Sequence, residues 1–556
     1  MKRTIFLLLA AALGAAASAD FPGPAPLAWR WVQPTQVAPG GAPLVDGDTV
    51  YVAVGQRIYS LDKETGNRRW QYPLVDPIQG YFRSAPVLSD GILMAAADNK
   101  TIYAVDAATG SAKWQYLAPN AILGQPILVG KYLAFAMTDN TLMALDVATG
   151  AAIWQAPFRV FAGINSGMAS LGNNLIYTTG SNEMIALDLV TQKAVWRQKF
   201  TQLGPEAVPV VYANNLYLSS GTFLISLNGA SGTGRWQRNI GEPLAHPPAV
   251  SAEGIFVSTR DGKAFITDLN GQPKFRTGIE LGSLPLTRPT ALGGTFVQPT
   301  TNGALTLVNG EGKVTWSYLI RPLPGSGTAT TQPGGGMGFG GASGMGGPGG
   351  PPGGVGGRGA PGGGQRGGLP GGGPGAPSAS AANAPLTVQA SGPATLAGNT
   401  LLILARDGSL LAFDRELGVD LTPPTVKMLF PNPGDQGASQ PSMELIFRIE
   451  DEASGIDDKT LKIEVDGKTL EHEFGRDGIA VVRISSAGKN RPLTDGRKTF
   501  TVTVSDWMGN TSTTSYTLVI DNALRPLMRP AAGTQTGGFP GGGPGGFGGG
   551  LGGDGR

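Results

Sequence analysis

The amino-acid sequence predicts an all-β protein: a closed ring of eight four-stranded antiparallel sheets, an eight-bladed β-propeller, followed by a β-sandwich. Three observations carry that reading. First, Asp62, Asp106, Asp146, Asp188, Asn228, Asp268 and Asn309 each end a short apolar run, at spacings of 44, 40, 42, 40, 40 and 41 residues. Second, a large aromatic follows each by seven or eight residues: Trp70, Trp114, Trp154, Trp196, Trp236, Phe275 and Trp316. Third, each interval holds four short apolar runs divided by turn residues, which is the signature of a repeated sheet. The pattern stops near Asp420, where a region with a different strand spacing begins.

The chain opens with Lys2 and Arg3, an apolar run from Ile5 to Leu13 and Ala17-Ser18-Ala19 before Asp20. This reads as a secretory signal peptide over 1–19, the apolar run being too short for a permanent membrane span. Export to the periplasm or cell surface is therefore expected, with no transmembrane segment in the mature chain. There are no cysteines among the 556 residues, which excludes disulfides, thiolate metal sites, a cysteine nucleophile and attachment of c-type haem. With 42 Lys+Arg against 40 Asp+Glu the net charge is +2, so no strong field draws nucleic acid.

In the first repeat, Ala42–Val45 precedes the turn Asp46-Gly47, and Thr49–Val54 and Arg57–Asp62 alternate about Gly55. Arg68–Tyr72 then follows Thr65-Gly66. The Asp accepts backbone N–H groups of its own turn, and the glycine takes the positive φ that ends it. The tryptophan falls on the outermost strand, where a wide ring covers the gap to the next sheet. Pro43, Pro86, Pro126, Pro209, Pro248, Pro289 and Pro393 recur at the first strand of a unit, Met168 being the exception. Proline cannot donate to a ladder and belongs on an edge, here the strand lining the channel.

An eighth strand pair, Leu401–Ala405 and Ser409–Asp414, arrives 105 residues after Asn309. The excess matches residues 325–384, which hold 27 of the chain's 87 glycines and interrupt a regular array. This unit lacks a tryptophan strand, and Trp29-Arg30-Trp31 precedes the first repeat. Donation of that N-terminal strand, with Trp31 as its repeat aromatic, closes the ring and hides its edges.

The phrase Leu-Asp-x-x-Thr-Gly-x-x-x-Trp, at 61–70, 105–114 and 145–154, resembles the pyrroloquinoline-quinone-like β-propeller repeat family over residues 27–420. That resemblance implies the propeller fold. The family holds calcium-dependent quinoprotein dehydrogenases of alcohols and sugars, and also non-catalytic members in outer-membrane β-barrel assembly that bind proteins. The chain is more similar to the non-catalytic branch: it lacks a cysteine pair and a Cys-x-x-Cys-His, and its short repeats leave little material for a deep active site. No catalytic or cofactor-binding residue transfers, and pyrroloquinoline quinone with calcium belongs to the enzyme alternative only.

Residues 421–522 are expected to form the sandwich, with strands at Met443–Glu450, Leu461–Val465, Ile479–Ile484, Lys498–Ser505 and Ser515–Asp521. Asp451-Glu452-Ala453-Ser454-Gly455-Ile456 and Asp506-Trp507-Met508-Gly509-Asn510 look like phrases of bacterial immunoglobulin-like modules. From 420 to 522 the chain carries 16 acidic and 11 basic residues. Asp451, Asp457, Asp458 and Asp506 are calcium candidates, since calcium takes clustered carboxylate oxygens; turn chemistry is the alternative. The stretch 325–384 and the tail 523–556 are glycine-rich, with too little apolar content to offset chain entropy, and are expected to be disordered.

Connections from each outer strand to the next inner strand run on the face that carries the hairpin between strands two and three. The longest are 74–83, 117–124, 156–164 and 199–207, and 325–384 leaves from the same face. Tyr81, Phe82, Arg83, Phe158, Arg159 and Phe161 lie there, a mixture of aromatics and arginine suited to protein contact. His246 and His472 are the only histidines, and neither has a companion for a metal or a triad. The function expected is an exported, non-enzymatic envelope scaffold that binds protein partners. A quinoprotein dehydrogenase and a polysaccharide-binding or adhesive surface protein, with a glycan as partner, are the alternatives.

Overall fold

The computed structural model describes residues 21–322, 387–475 and 477–527. The expected signal peptide, the insertion 325–384 and residues 528–556 of the tail lie outside them. The described residues form ten sheets and contain no helix, hence none long and apolar enough to cross a membrane. Eight four-stranded antiparallel sheets make the blades of the propeller, seven of them from strands consecutive in the chain.

Blade 1 shows the plan: Leu44–Asp46, Thr49–Val54, Arg57–Asp62 and Arg68–Tyr72, from channel to rim. Thr49–Val54 and Arg57–Asp62 are buried almost throughout, rather than on alternate residues. Each blade is covered on both faces by neighbours, so its central strands read as continuous apolar runs, as in any doubly covered sheet. Rim strands such as Ala112–Leu117 do alternate, with one face turned to the next blade and one to water. All the recurring prolines but Pro126, which lies within its strand, fall just before the inner strands, such as Val87–Ser89 and Ala249–Ser251.

The ring closes as the sequence predicts. Blade 8 consists of Thr395–Ala397, Thr400–Leu404 and Ser409–Phe413, with the N-terminal strand Leu27–Val32 antiparallel to the last. Thr395 Oγ1 donates to the Pro43 carbonyl at 2.7 Å across the seam to blade 1. Trp29, rather than Trp31, takes the repeat position: its Nε1 donates to the Lys63 carbonyl at 2.9 Å, while Trp31 packs on the Tyr59 ring. Both side chains leave the same face of the strand, so parity did not separate them.

The repeat aromatics clasp adjacent blades in one recurring geometry. The indole N–H groups of Trp70, Trp114, Trp154, Trp196 and Trp236 donate to the carbonyls of Ala107, Val147, Leu189, Gly229 and Leu269, each one residue past the next blade's turn Asp or Asn. That turn is fixed by its first side chain: Asp62 Oδ1 accepts from the Glu64 and Thr65 N–H groups and from Thr65 Oγ1, and Asp106, Asp146 and Asp188 repeat the bond to the threonine. The bond from Arg69 and these donors hold the Asp62 carboxyl down at about 2. The closing glycine serves two ends. Gly150 has φ +71°, and a Cβ there would stand 2.5 Å from the Trp114 ring. The seam between blades 3 and 4 departs from the plan: Gln192 of the blade 4 turn occupies the glycine position on the Trp154 side, and the blade 3 rim strand shrinks to Phe158–Arg159. In blade 6, where the aromatic is Phe275, Pro273 coincides with a rim strand reduced to Ile279–Glu280.

At blade 7 the clasp points elsewhere. Trp316 is fully buried, and its Nε1 donates at 2.9 Å to the carbonyl of Ser454 in the C-terminal module. Tyr318 Oη donates to Glu452 O at 2.9 Å and the Leu27 N–H to Ala453 O at 2.8 Å, so three consecutive carbonyls receive propeller donors. The module is a β-sandwich. One sheet holds Thr425–Phe430, Ser442–Glu450, Ile479–Ser485 and Glu473–Phe474. The other is built on Ile456–Val465, Gly496–Asp506 and Thr511–Ile520. Leu445, Phe447, Ile463, Phe500 and Val502 fill the space between them.

Candidate protein-binding face

In every blade but the first, where Pro73 follows the rim strand, the residue after the rim strand donates its N–H to the hairpin joining strands two and three of the same blade. Ala118 thus bonds Lys100 O, Phe200 bonds Asn182 O, Ile240 bonds Thr222 O and Ile320 bonds Gly303 O. This bond turns those inter-blade connections over one face, and the connection after blade 1 is tied to the same hairpin by the Ile78 and Phe82 N–H groups, which donate to Gln56 O and Gly55 O. The residues flanking 323–386 meet there too, where the Val388 N–H donates to Ile320 O at 2.9 Å.

The sequence-predicted contact residues divide on this face. Tyr81 and Arg83 form a cluster with Asp98: the Tyr81 N–H donates to Asp98 Oδ1 at 2.7 Å, Arg83 Nε to Asp98 Oδ2 at 3.2 Å, and the guanidinium lies 5.8 Å from the Tyr81 ring. Arg159 is exposed and Phe161 is 89 % exposed, just before the positive-φ pair Ala162-Gly163. Phe82 does not belong to the surface. It is 1 % exposed, bonds Gly55 O through its N–H and packs edge-on against Tyr103, sealing blades 1 and 2. Phe158 is half-buried against the Trp154 ring.

Sequence reasoning missed the apolar residues that share the face with Phe161. Leu74, Val75 and Leu284 are exposed large side chains on its connections, and Leu117 and Phe223 are exposed at the strand ends that adjoin it. In the rest of the described propeller only Val190, on the opposite-face turn, and Val195, on a rim strand, are exposed in the same way before the module linker begins at Leu417. Leu74-Val75 between Pro73 and Asp76 was the available signal, an apolar pair in a connection too polar to be a strand. A polar recess of about 310 Å³ adjoins, lined by Gln33, Thr35, Gln56, Arg57 and Tyr81.

The calcium candidates also divide. Asp420, Asp451 and Asp506 converge, with ligand oxygens within 4.8 Å of one another and all three side chains buried. Asp457 stands outside and accepts the Lys459 N–H instead, and Asp458 is exposed. Asp420, which sequence reasoning passed over as a boundary residue, takes the third place. The cluster supports the loop that fastens the module. Asp451 Oδ2 accepts from the N–H groups of Ala453, Ser454 and Gly455, and Ser454 Oγ donates to Asp420 Oδ2. Asp506 receives the Met508 and Asn510 N–H groups on Oδ1 and Asn510 Nδ2 on Oδ2, while Asp420 Oδ1 receives Thr422. Of the six carboxylate oxygens only Asp451 Oδ1 lacks a donor among the described residues, so the donor set fits a hydrogen-bonded knot better than a cage offering calcium six to eight oxygens. Burial, with the neighbouring Asp420 and Asp506 charges, pushes the Asp451 carboxyl up to about 6.

Among the described residues this is the one group of three acidic or histidine side chains close enough to share a metal, and it lies at the module junction. His246 is half-buried, with Nε2 3.4 Å from the Pro285 carbonyl, and desolvation lowers its pKa. His472 Nδ1 meets its own neighbour's carbonyl, Leu470 O.

Among solved structures, the chain is similar to BamB from Moraxella catarrhalis, at 14 % identity over 70 % of this chain and 97 % of that one, with a TM-score of 0.48. The computationally designed Ika8 protein aligns at 11 % identity over 69 % and 98 %, TM-score 0.47. A europium-containing methanol dehydrogenase aligns at 16 % over 53 % and 80 %, TM-score 0.43. No curated protein sequence matches the chain. The profile described as outer membrane protein assembly factor BamB matches residues 27–161, 139–222 and 204–333, more than half of the sequence, and the chain belongs to that family of β-propeller proteins.

Proposed function

We propose that this chain is an exported, non-enzymatic scaffold of the cell envelope whose hairpin face binds a protein partner. The observation that carries the reading is the asymmetry of the propeller: Leu74, Val75, Leu117, Phe161, Phe223 and Leu284 are exposed on one face, against Val190 on the other. Folding gains nothing from large apolar side chains held in water, and their bias to one side leaves that face the better supplied with apolar contacts for a partner. Arg83, Arg159 and the polar recess add hydrogen-bonding groups to the same face, and protein interfaces combine such groups with apolar contacts. Membership of a family described by outer-membrane protein assembly supports a protein partner, and the N-terminal Lys2-Arg3 and Ile5–Leu13 pattern supports export.

The reading is tested by replacing Leu74, Phe161 and Leu284 together with serine and measuring recovery of envelope proteins cross-linked to the mature chain. These side chains make little contact within the fold, so thermal unfolding should stay unchanged while cross-linked partners fall at least tenfold, the loss of about 1.4 kcal/mol or more. Undiminished recovery contradicts the assignment of the face. Titration with pyrroloquinoline quinone and calcium tests the enzyme alternative: stoichiometric binding with dye-linked alcohol oxidation would replace the scaffold reading.

A further inference from the structure

The rim strands of the propeller are outer edges, and each that faces solvent carries a charged residue, such as Arg68 in Arg68–Tyr72, Lys113 in Ala112–Leu117 and Arg235 in Gly234–Asn239. Charge on an edge keeps a further strand from pairing with it. Val314–Leu319 carries none, and the sandwich lies against it through Trp316 and Tyr318. The sandwich has an uncharged edge of its own. Thr511–Ile520 reads Thr-Ser-Thr-Thr-Ser-Tyr-Thr-Leu-Val-Ile, without charge, proline or glycine. It pairs along its whole length with Gly496–Asp506 on one side, while on the other only Val519 and Ile520 meet a strand, Gln436–Gly437.

The direction of the backbone in the open stretch is fixed. Thr517 O accepts the Gly434 N–H and the Val519 N–H donates to Asp435 O, both on the side away from Gly496–Asp506. Backbone groups alternate sides along a strand, so the N–H and C=O of Thr511, Thr513 and Ser515 point the same way, where no described strand pairs with them. The side chains select the partner. Thr511, Thr513 and Ser515 already meet Ser505, Thr503 and Thr501 hydroxyl to hydroxyl, at 2.7, 3.3 and 3.1 Å. A second copy laid antiparallel about a two-fold axis at Thr513 sets Thr513 against its own counterpart, Thr511 against Ser515 and Ser512 against Thr514. Each row of hydroxyls then continues into the other copy, and no like charges meet. Beside the start of the strand, where Asn510 Nδ2 donates to Asp420 O, Val419 and Leu421 are 74 % and 80 % exposed and add apolar surface next to the edge. We propose that two copies of this chain associate through Thr511–Ser515, joining their sandwich sheets into one continuous antiparallel sheet. This surface is apart from the hairpin face, so its failure leaves the protein-binding reading intact.

The test is sedimentation velocity of the full mature chain over about 1–300 µM, the range in which contacts smaller than a standard interface dissociate. The native chain should show a concentration-dependent dimer. Thr513 is exposed, and Thr513→Lys and Thr513→Glu should each sediment as monomers because two like charges meet at the axis. An equimolar mixture of the two should restore the dimer, with lysine facing glutamate. Should these variants fold poorly, Thr513→Cys gives a second reading in a chain without native cysteine. The axis sets the two Cα atoms about 5.5 Å apart, within disulfide reach, so mild oxidation should link the copies. Thr499→Cys, exposed on the same face but one strand inward, should stay unlinked. A monomer throughout, which would leave the edge to a strand from another protein, overturns the proposal. So does a dimer indifferent to both charges, a mixture that stays monomeric, or equal cross-linking from the two cysteine variants.

Discussion

Replacing Gly150 with alanine tests the clasp between blades. Two costs are expected. The backbone there has φ +71°, a conformation in which an L side chain costs roughly 1 kcal/mol. The new methyl would also stand 2.5 Å from Cδ2 of Trp114, whose indole N–H is tied to the Val147 carbonyl at 2.9 Å. The ring must move, which loses about 1 kcal/mol of hydrogen bond and a similar amount of packing. The sum is about 3 kcal/mol. Gly47→Ala is the control, since φ is +54° there and nothing lies within 4 Å of the added methyl. It should cost about 1 kcal/mol. Urea unfolding of the mature chain, followed by circular dichroism through the propeller transition, measures both. In a Trp114→Ala background the Gly150 cost should fall to that of Gly47, because the ring is gone. Equal costs at the two glycines in the native background would refute the clasp and reduce the motif to turn chemistry.

Three further outcomes follow from the packing and the acidic knot. Phe82→Ser should destabilise the propeller by about 3–4 kcal/mol, whereas Phe161→Ser should leave it within about 0.5 kcal/mol, as denaturant midpoints will show. Asp451→Asn retains an acceptor for the three loop N–H groups. Because the folded pKa is raised to about 6 against an ordinary value near 3.9, the folded state holds the extra proton between those values, and stability falls as pH rises through that window. The asparagine variant should therefore be more stable by up to about 3 kcal/mol above pH 6 and unchanged below pH 4; destabilisation at neutral pH that calcium accentuates would instead mark a cation site. Trp316→Phe removes the N–H that reaches Ser454 O and should weaken docking of the sandwich by about 1–2 kcal/mol, read as faster proteolysis in the linker around Leu417–Leu421.

The propeller was legible because its signals are local and repeated. An Asp caps a turn, a glycine ends it and an indole follows at fixed distance, so each copy corroborates the others. The missing rim strand of blade 8 was legible for a related reason: Trp29-Arg30-Trp31 is the one spare strand with the rim's aromatic character, and an open ring exposes two edges. What escaped depends on contacts between distant segments. Phe82 looked like a loop aromatic, but its pairing with Ala97 across blades 1 and 2 buries it. Trp316 reads like every other repeat tryptophan, and only the arrival of Ser454 gives it a different acceptor. Asp420 stood at the end of one module with nothing nearby to mark it, and its partners Asp451 and Asp506 come from the ends of two sandwich strands. The apolar residues of the hairpin face were hidden for the opposite reason, since isolated leucines in loops carry no period.

The central claim, that one face of the propeller is the binding surface, is most directly tested by photo-cross-linking in living cells. A photoreactive residue would replace Phe161 or Leu284 on the hairpin face, and Val190 on the opposite face, each being exposed in the free chain. Discrete adducts of common mass from Phe161 and Leu284, with none from Val190, are the predicted result. Equal yields from both faces, or adducts from Val190 alone, would contradict it.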